Sequence, residues 1–201
     1  MSRDHIESFL EESKAVLERL DREGISRLIA QLVKTREQGG RVFLLGLGGS
    51  ASMASHAAND LRKICRIEAY AACDNVSELT ARANDEGWET VFDGWLEASR
   101  LGSRDLLWIF SVGGGDAERG VSRPLLPAIE RARRVGAGIA GVFGRDGGQA
   151  AAAADACLIV PTVNPRRVTA HTEGFQALIW HLVISAPALQ KDPMKWEALG
   201  S

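Results

Sequence analysis

Apolar side chains in the first 38 residues recur at helical spacing: Ile6, Phe9, Leu10, Val16, Leu17 and Leu20, then Ile25, Leu28, Ile29, Leu32 and Val33. This i, i+3, i+4, i+7 rhythm predicts two amphipathic helices, with Gly24 as the expected break. The rhythm then changes. Residues 42–45 form a continuous apolar run, as expected of a strand buried on both faces. A helix is predicted over 50–65, a strand over 67–73, and a helix to 84 capped by Asn75 or Ser77. Residues 88–98 form another helical pattern, with Trp88, Val91, Phe92, Trp95 and Leu96 on its apolar face. Strands follow at 105–111, 138–143 and 156–160. Between them lie a helix over 124–135, stopped by Gly136, and a short alanine-rich helix after the 144–148 turn. The last major helix is predicted over 172–185, and no element is predicted after Pro187.

Strands alternating with helices imply βαβ units, a parallel sheet and right-handed crossovers. The expected fold class is α/β, a doubly wound five-stranded parallel sheet preceded by N-terminal helices, in one domain spanning 1–201. Ligands of such folds bind beyond the carboxyl ends of the strands. The wide apolar face of residues 1–39 points to an oligomer interface.

Composition narrows the partners. The 201 residues carry a formal net charge of −2, which gives no bulk attraction to nucleic acid. Cys65, Cys73 and Cys157 are odd in number and show no metal-knuckle spacing, so reduced core thiols are expected. No apolar run is long enough for a membrane span, and the acidic, amphipathic N-terminus has no signal-peptide pattern. A cytoplasmic protein with neither nucleic-acid nor membrane partner is the expectation.

Two glycine-rich loops fall at the expected ligand edge. The first, Gly46-Leu47-Gly48-Gly49-Ser50, joins a strand to a helix start. It is neither G-x-G-x-x-G nor a P-loop, which leaves a small-anion cradle using backbone N–H groups and Ser50. A tight turn whose glycines only allow close packing is the alternative. The second loop begins at Ser111 and continues through Gly113, Gly114 and Gly115 to Asp116. Glycine permits the positive φ that lets successive N–H groups converge on an anion. Ser122 either caps the next helix or contacts a ligand. Two cradles on one edge suit a phosphosugar.

His56 and Asp60, four apart, share one helix face with the spacing of metal ligands or of an acid/base pair. His181 lies in an otherwise apolar helix, where a buried histidine held by one hydrogen bond is the alternative. Glu173 precedes it by eight residues, about 12 Å of helical rise. One ion would meet both only if the helix began irregularly; otherwise the two act at different points, with His171 and Gln176 as nearby substitutes. Asp85 either bonds a sugar hydroxyl or caps the helix at Trp88.

Taken together these residues resemble the sugar-isomerase (SIS) domain family and, within it, the phosphoheptose isomerases. GLGGSASMASH is similar to the family's G-N-G-G-S-A-x-x-x-x-H, TARANDEGWETVF to T-A-x-x-N-D-x-G-x-x-x-x-F, and GVFGRDGG to G-x-x-G-x-D-G-G. The similarity runs from the N-terminal helices to about Val183. The resemblance implies a homotetramer with active sites between subunits and the N-terminal helices in a central bundle. It implies Ser50 and Ser111 in phosphate binding and Asp85 toward the open-chain sugar, which with Gly48, Gly49, Gly113, Gly114 and Ser122 of the two loop regions make up the expected substrate-binding residues. It also implies zinc held by His56, Asp60, Glu173 and His181, with acid/base work by His181 and one of Asp60 or Glu173.

Departures from the pattern mark this chain. Asp60 stands where the family has Glu, and Glu173 where it has Gln. The serine-rich second loop, S-T-S-G-N-S, is replaced by SVGGGD and an apparent insertion, AERGVSRP. Backbone N–H groups, Ser122, Arg119 or Arg123 are then expected to supply the phosphate contacts. Leu47 replaces a polar Asn. The implied reaction interconverts sedoheptulose 7-phosphate, or a close relative, and an aldoheptose 7-phosphate through an ene-diol(ate). The other reading is a non-catalytic phosphosugar-binding or protein-interaction module. Retention of both histidines with carboxylate companions favours the enzyme.

Overall fold

The computed structural model describes residues 2–199. Five short strands carry the fold: β1 (Val42–Leu45), β2 (Ala69–Ala71), β3 (Leu106–Ser111), β4 (Gly138–Phe143) and β5 (Ala156–Ile159). All pair in parallel, in the order β2-β1-β3-β4-β5. Order reverses beside β1, so the loop after β1 opens at a switch point, where such sheets bind ligands.

Alternation along each strand sends side chains to two cores. Val42, Leu44, Leu106, Trp108, Phe110, Ala140 and Val142 face one helical layer. Phe43, Leu45, Leu107, Ile109, Ile139 and Phe143 face the other. Every residue of β1 and β3 is buried, as the continuous apolar runs require. The first layer contains α2 (Arg22–Glu37), α3 (Gly49–Lys63) and α8 (Val168–Ile184), and the second α5 (Val91–Ala98), α6 (Leu125–Val135) and α7 (Gly148–Ala153). α1 (Ser2–Arg19), α4 (Val76–Asp85) and a terminal turn, α9 (Lys195–Ala198), complete the helices. None of the described helices is long and apolar enough to cross a membrane.

Several boundaries differ from the sequence expectation. The first two helices part at Leu20 and Asp21, not at Gly24. Gly24 lies buried inside α2, where a Cβ would stand 3.1 Å from Leu158 Cδ1. Its role is close approach of α2 to β5. α2 therefore covers the sheet, while α1 keeps Ile6, Leu10 and Leu17 exposed on one face. β2 shrinks to three residues because it is an edge strand with one partner. Trp88–Thr90 form a separate 3₁₀ turn before α5, and Trp88 is exposed rather than part of the apolar face. Asn75 is the cap of α4, accepting from the Glu78 N–H at 3.2 Å. Gly136 ends α6 in the left-handed region, as expected. α8 begins four residues early, at Val168, and α9 was not foreseen.

α1 is tied down by a polar cluster. Glu12 accepts from Asn164 Nδ2 at 2.8 Å and from Arg167 at 3.1 Å, and pairs with His171 Nε2 at 2.8 Å. Phe9 stacks on the same imidazole at 4.4 Å. The three cysteines are free thiols, and burial pushes Cys65 up to about 11.

Candidate active site

α3 and α8 lie side by side and run in the same direction, since both descend from carboxyl ends of parallel strands. Three contacts fix their register. Ser50 Oγ donates to Gln176 Oε1 at 3.0 Å, His56 lies 4.6 Å from the Trp180 ring, and Cys65 Sγ meets the Ile184 carbonyl. Glycine allows the upper contact: a Cβ on Gly49 would fall 2.5 Å from the Glu173 carboxylate.

The lower contact gathers the titratable groups. One donor atom each from His56, Asp60 and His181 lies within 4.8 Å of the other two. His56 Nε2 is 3.7 Å from Asp60 Oδ2, and the two imidazole centroids are 5.6 Å apart in an edge-to-face arrangement. Both histidines are exposed and Asp60 is buried, its Oδ1 accepting from Asn59 Nδ2 at 2.8 Å. His181 Nδ1 lies 2.7 Å from the Ala177 carbonyl. A carbonyl only accepts, so Nδ1 carries the proton, and Nε2 of the neutral ring keeps its lone pair for a proton or a metal. Trp180, fully buried, stacks on His181 and leans on His56, with its Nε1 unpaired. Two imidazoles and a carboxylate are the donor set of a borderline-soft divalent ion such as zinc, and a fourth position remains open to a further ligand. The residues fit such an ion.

Glu173 stands outside this cluster. α8 is regular from Val168 onward, so the irregular start that would bring Glu173 and His181 together within one chain is absent. The two sit about 12 Å apart along the helix. His171 and Gln176 do not replace it. His171 is buried against Glu12, and Gln176 is fully buried, accepting from Ser50 and donating to the Val142 carbonyl at 3.2 Å.

At the strand edge, Gly48 has φ +59 and the following N–H groups of Gly49 and Ser50 open α3 without intrahelical acceptors. They and the helix dipole form the cradle. The Ser50 hydroxyl, by contrast, is buried and donates to Gln176 Oε1. Ser111 is also buried, its Oγ accepting from the Gly114 N–H at 3.0 Å. A Cβ on Gly114 would fall 1.7 Å from the Gly147 carbonyl, so this glycine serves loop-to-loop packing as well. The Gly113 and Gly115 N–H groups have no acceptor among the described residues.

The insertion after this loop folds back on itself through an antiparallel bridge between Asp116 and Val121. Its cations are paired: Arg119 with Asp116 at 3.6 Å and Arg123 with Glu89 at 2.7 Å. Ser122 caps nothing with its side chain; its carbonyl accepts from the Leu125 N–H. Asp85, exposed at the end of α4, accepts from Asn84 and caps nothing at Trp88. Leu47 packs against the second core, which accounts for an apolar residue in the loop.

Residues 8–144 match the family model of the SIS domain. The chain belongs to the SIS domain family. Among curated relatives, this SIS protein is 35% identical over 191 residues to a phosphoheptose isomerase of Paramagnetospirillum magneticum, covering 88% of this chain and 92% of that one. It is 34% identical over 167 residues to one of Helicobacter pylori, covering 80% and 83%. The solved structure of phosphoheptose isomerase from Neisseria gonorrhoeae superposes with a TM-score of 0.79 at 25% identity, covering 91% of this chain and 96% of that one.

Trp180 is the contributor that periodicity did not reveal. In sequence it is one more apolar residue of α8, and only the register against α3 sets it against His56 as well as His181.

Proposed function

We propose that this SIS protein is a phosphoheptose isomerase, an aldose–ketose isomerase that interconverts sedoheptulose 7-phosphate and an aldoheptose 7-phosphate. The observation that carries the reading is the convergence of His56 and Asp60 of α3 with His181 of α8, α3 being the helix whose first turn offers the anion cradle. A molecule that only bound a phosphosugar would need the cradle and not the cluster.

The reaction moves a proton between C1 and C2. A base removes the C1 proton of the ketose while the C2 carbonyl oxygen is protonated, giving an ene-diol. Return of a proton to C2, with loss of the O1 proton, gives the aldehyde. His181 is set for the transfer at carbon, since the Ala177 carbonyl holds its ring and leaves Nε2 free. Asp60 or Glu173 serves the oxygens. Zinc held by His56, Asp60 and Glu173 would polarise the two oxygens when bound; where His181 Nε2 is instead the fourth ligand, its one lone pair is taken and the transfer at carbon passes to a carboxylate oxygen of Asp60 or Glu173. The phosphate lies against the Gly48–Ser50 turn and the Gly113–Gly114 loop, with Ser111 and Ser122 at its border, and Asp85 addresses a sugar hydroxyl.

The active site is shared between copies of the chain in a homotetramer. Glu173 and the cradle occupy the upper end of the α3–α8 pair, and the histidine cluster the lower. A two-fold axis between two such pairs sets the upper end of one against the lower end of the other. Leu178 and Leu182, exposed on α8, and the free face of α1 supply apolar surface for this contact.

Purified protein is incubated with sedoheptulose 7-phosphate and the product followed by NMR, alongside metal analysis. Appearance of the aldose, lost on chelation and restored by zinc, is the expected result. Absence of turnover with metal present rejects the reading.

A further inference from the structure

The opposite edge of the sheet carries a second polar depression, of about 470 Å³, which is ample for a small ligand. It lies at the amino ends of β3 and β4, away from both glycine loops. Seven side chains with N–H or O–H donors line it: Gln31, Lys34 and Thr35 of α2, Gln38 just beyond it, Ser103 and Arg104 from the turn before β3, and Arg133 from α6. Thr35 donates to the Gln31 carbonyl at 2.9 Å; none of the other six side chains donates a hydrogen bond or joins an ion pair among the described residues. The site thus holds three cations from three separate elements, none of them in an ion pair among the described residues.

Two carboxylates, Asp105 and Asp155, also line the depression, each accepting backbone N–H groups. Asp105 binds Arg41 with both oxygens, at 2.9 Å to its backbone N–H and 2.8 Å to Nη2, and also takes the Gly102 N–H. Asp155 takes the Ile139 N–H at 2.8 Å. The ends of α2 and α6 bring carbonyl dipoles here, which accounts for Lys34 and Arg133 in their last turns. Arg104 is on no helix and has no such reason. Gln31 is drawn inward by Gly138, where a Cβ would stand 2.5 Å from Nε2.

We propose that this depression is a second anion site, which takes a small molecule bearing a phosphate or diphosphate group. A guanidinium pair with an ammonium and amide donors around a concave floor matches the several acceptor oxygens of such a group. The concavity favours a compact ligand over a polymer, which would need an extended basic stripe.

The test is calorimetric titration of the full chain with pyrophosphate near physiological salt. Wild type is expected to bind at this site, in addition to any binding at the glycine loops. Arg104→Glu with Arg133→Glu is expected to remove one pyrophosphate per chain, with affinity there falling at least about a hundredfold, two charge-assisted contacts at about tenfold each. Both side chains are exposed, so the fold is expected to survive; circular dichroism checks it, and Lys34→Gln is the milder variant. His181→Ala is expected to leave this binding unchanged, whatever it does to isomerisation. No pyrophosphate bound by wild type, or undiminished stoichiometry and affinity in the double variant, overturns the proposal.

Discussion

Glu173 and His181 stand two turns apart on α8, yet only His181 lies with His56 and Asp60. Glu173 instead presses its carboxylate on Gly49, where α3 begins. The groups that the family pattern brings together are thus split between the two ends of one helix pair.

The proposed sharing of the site between copies rests on this split. Glu173→Ala and His181→Ala are each expected to lose isomerase activity. Mixed and reassembled, the two inactive proteins should regain part of it, because some interfaces then pair an intact Glu173 with an intact histidine cluster. Mixed oligomers without recovered activity would show that each chain works alone.

Metal binding should depend on the cluster. His56→Ala or Asp60→Ala removes one of three clustered ligands, and zinc affinity measured by competition with a chelator is expected to fall at least about tenfold. Unchanged affinity would move the metal elsewhere. Folding should persist in His56→Ala, since His56 is exposed.

Ser50 tests structure against binding. Ser50→Ala leaves Gln176 Oε1 buried without its donor, at a cost of about 1–3 kcal/mol in urea unfolding. The KM for the sugar phosphate should change little, because the cradle's N–H groups remain. A large rise in KM at unchanged stability would return the hydroxyl to the phosphate.

Trp180 carries both packing and position. Trp180→Ala is expected to cost about 3–5 kcal/mol, the range for emptying a large buried site. Trp180→Phe keeps an aromatic surface beside His56 and His181, so it should retain most stability and lower kcat more than it changes KM.

The Glu12 cluster gives α1 an acid-sensitive anchor. Hydrogen bonds from His171 first, then Asn164, Ser8 and Arg167, lower the Glu12 pKa from 4.5 to about 2. A depressed folded pKa contributes stability above the unfolded value. That contribution is present above about pH 4.5 and is lost as pH falls toward 2. Glu12→Gln should remove this portion of the acid transition, read by urea midpoints between pH 5 and pH 2. An identical pH dependence in the variant would refute the anchor.

Much of this molecule was legible in the residues themselves. The runs at Val42–Leu45 and Leu106–Ser111 announced doubly buried strands, since a strand covered on both faces has no polar positions. The spacing of His56 and Asp60 placed both on one helix face because helical geometry is local. Gly24 misled, because a glycine that allows close packing and one that ends a helix look alike in sequence. Register between distant segments was not legible. Nothing local says that Ser50 turns inward to Gln176 or that Trp180 touches two histidines. Nor does it say that Lys34, Arg104 and Arg133 meet at one edge. Such contacts depend on how α3, α8 and α6 pack on the sheet, and packing is decided by the whole core at once.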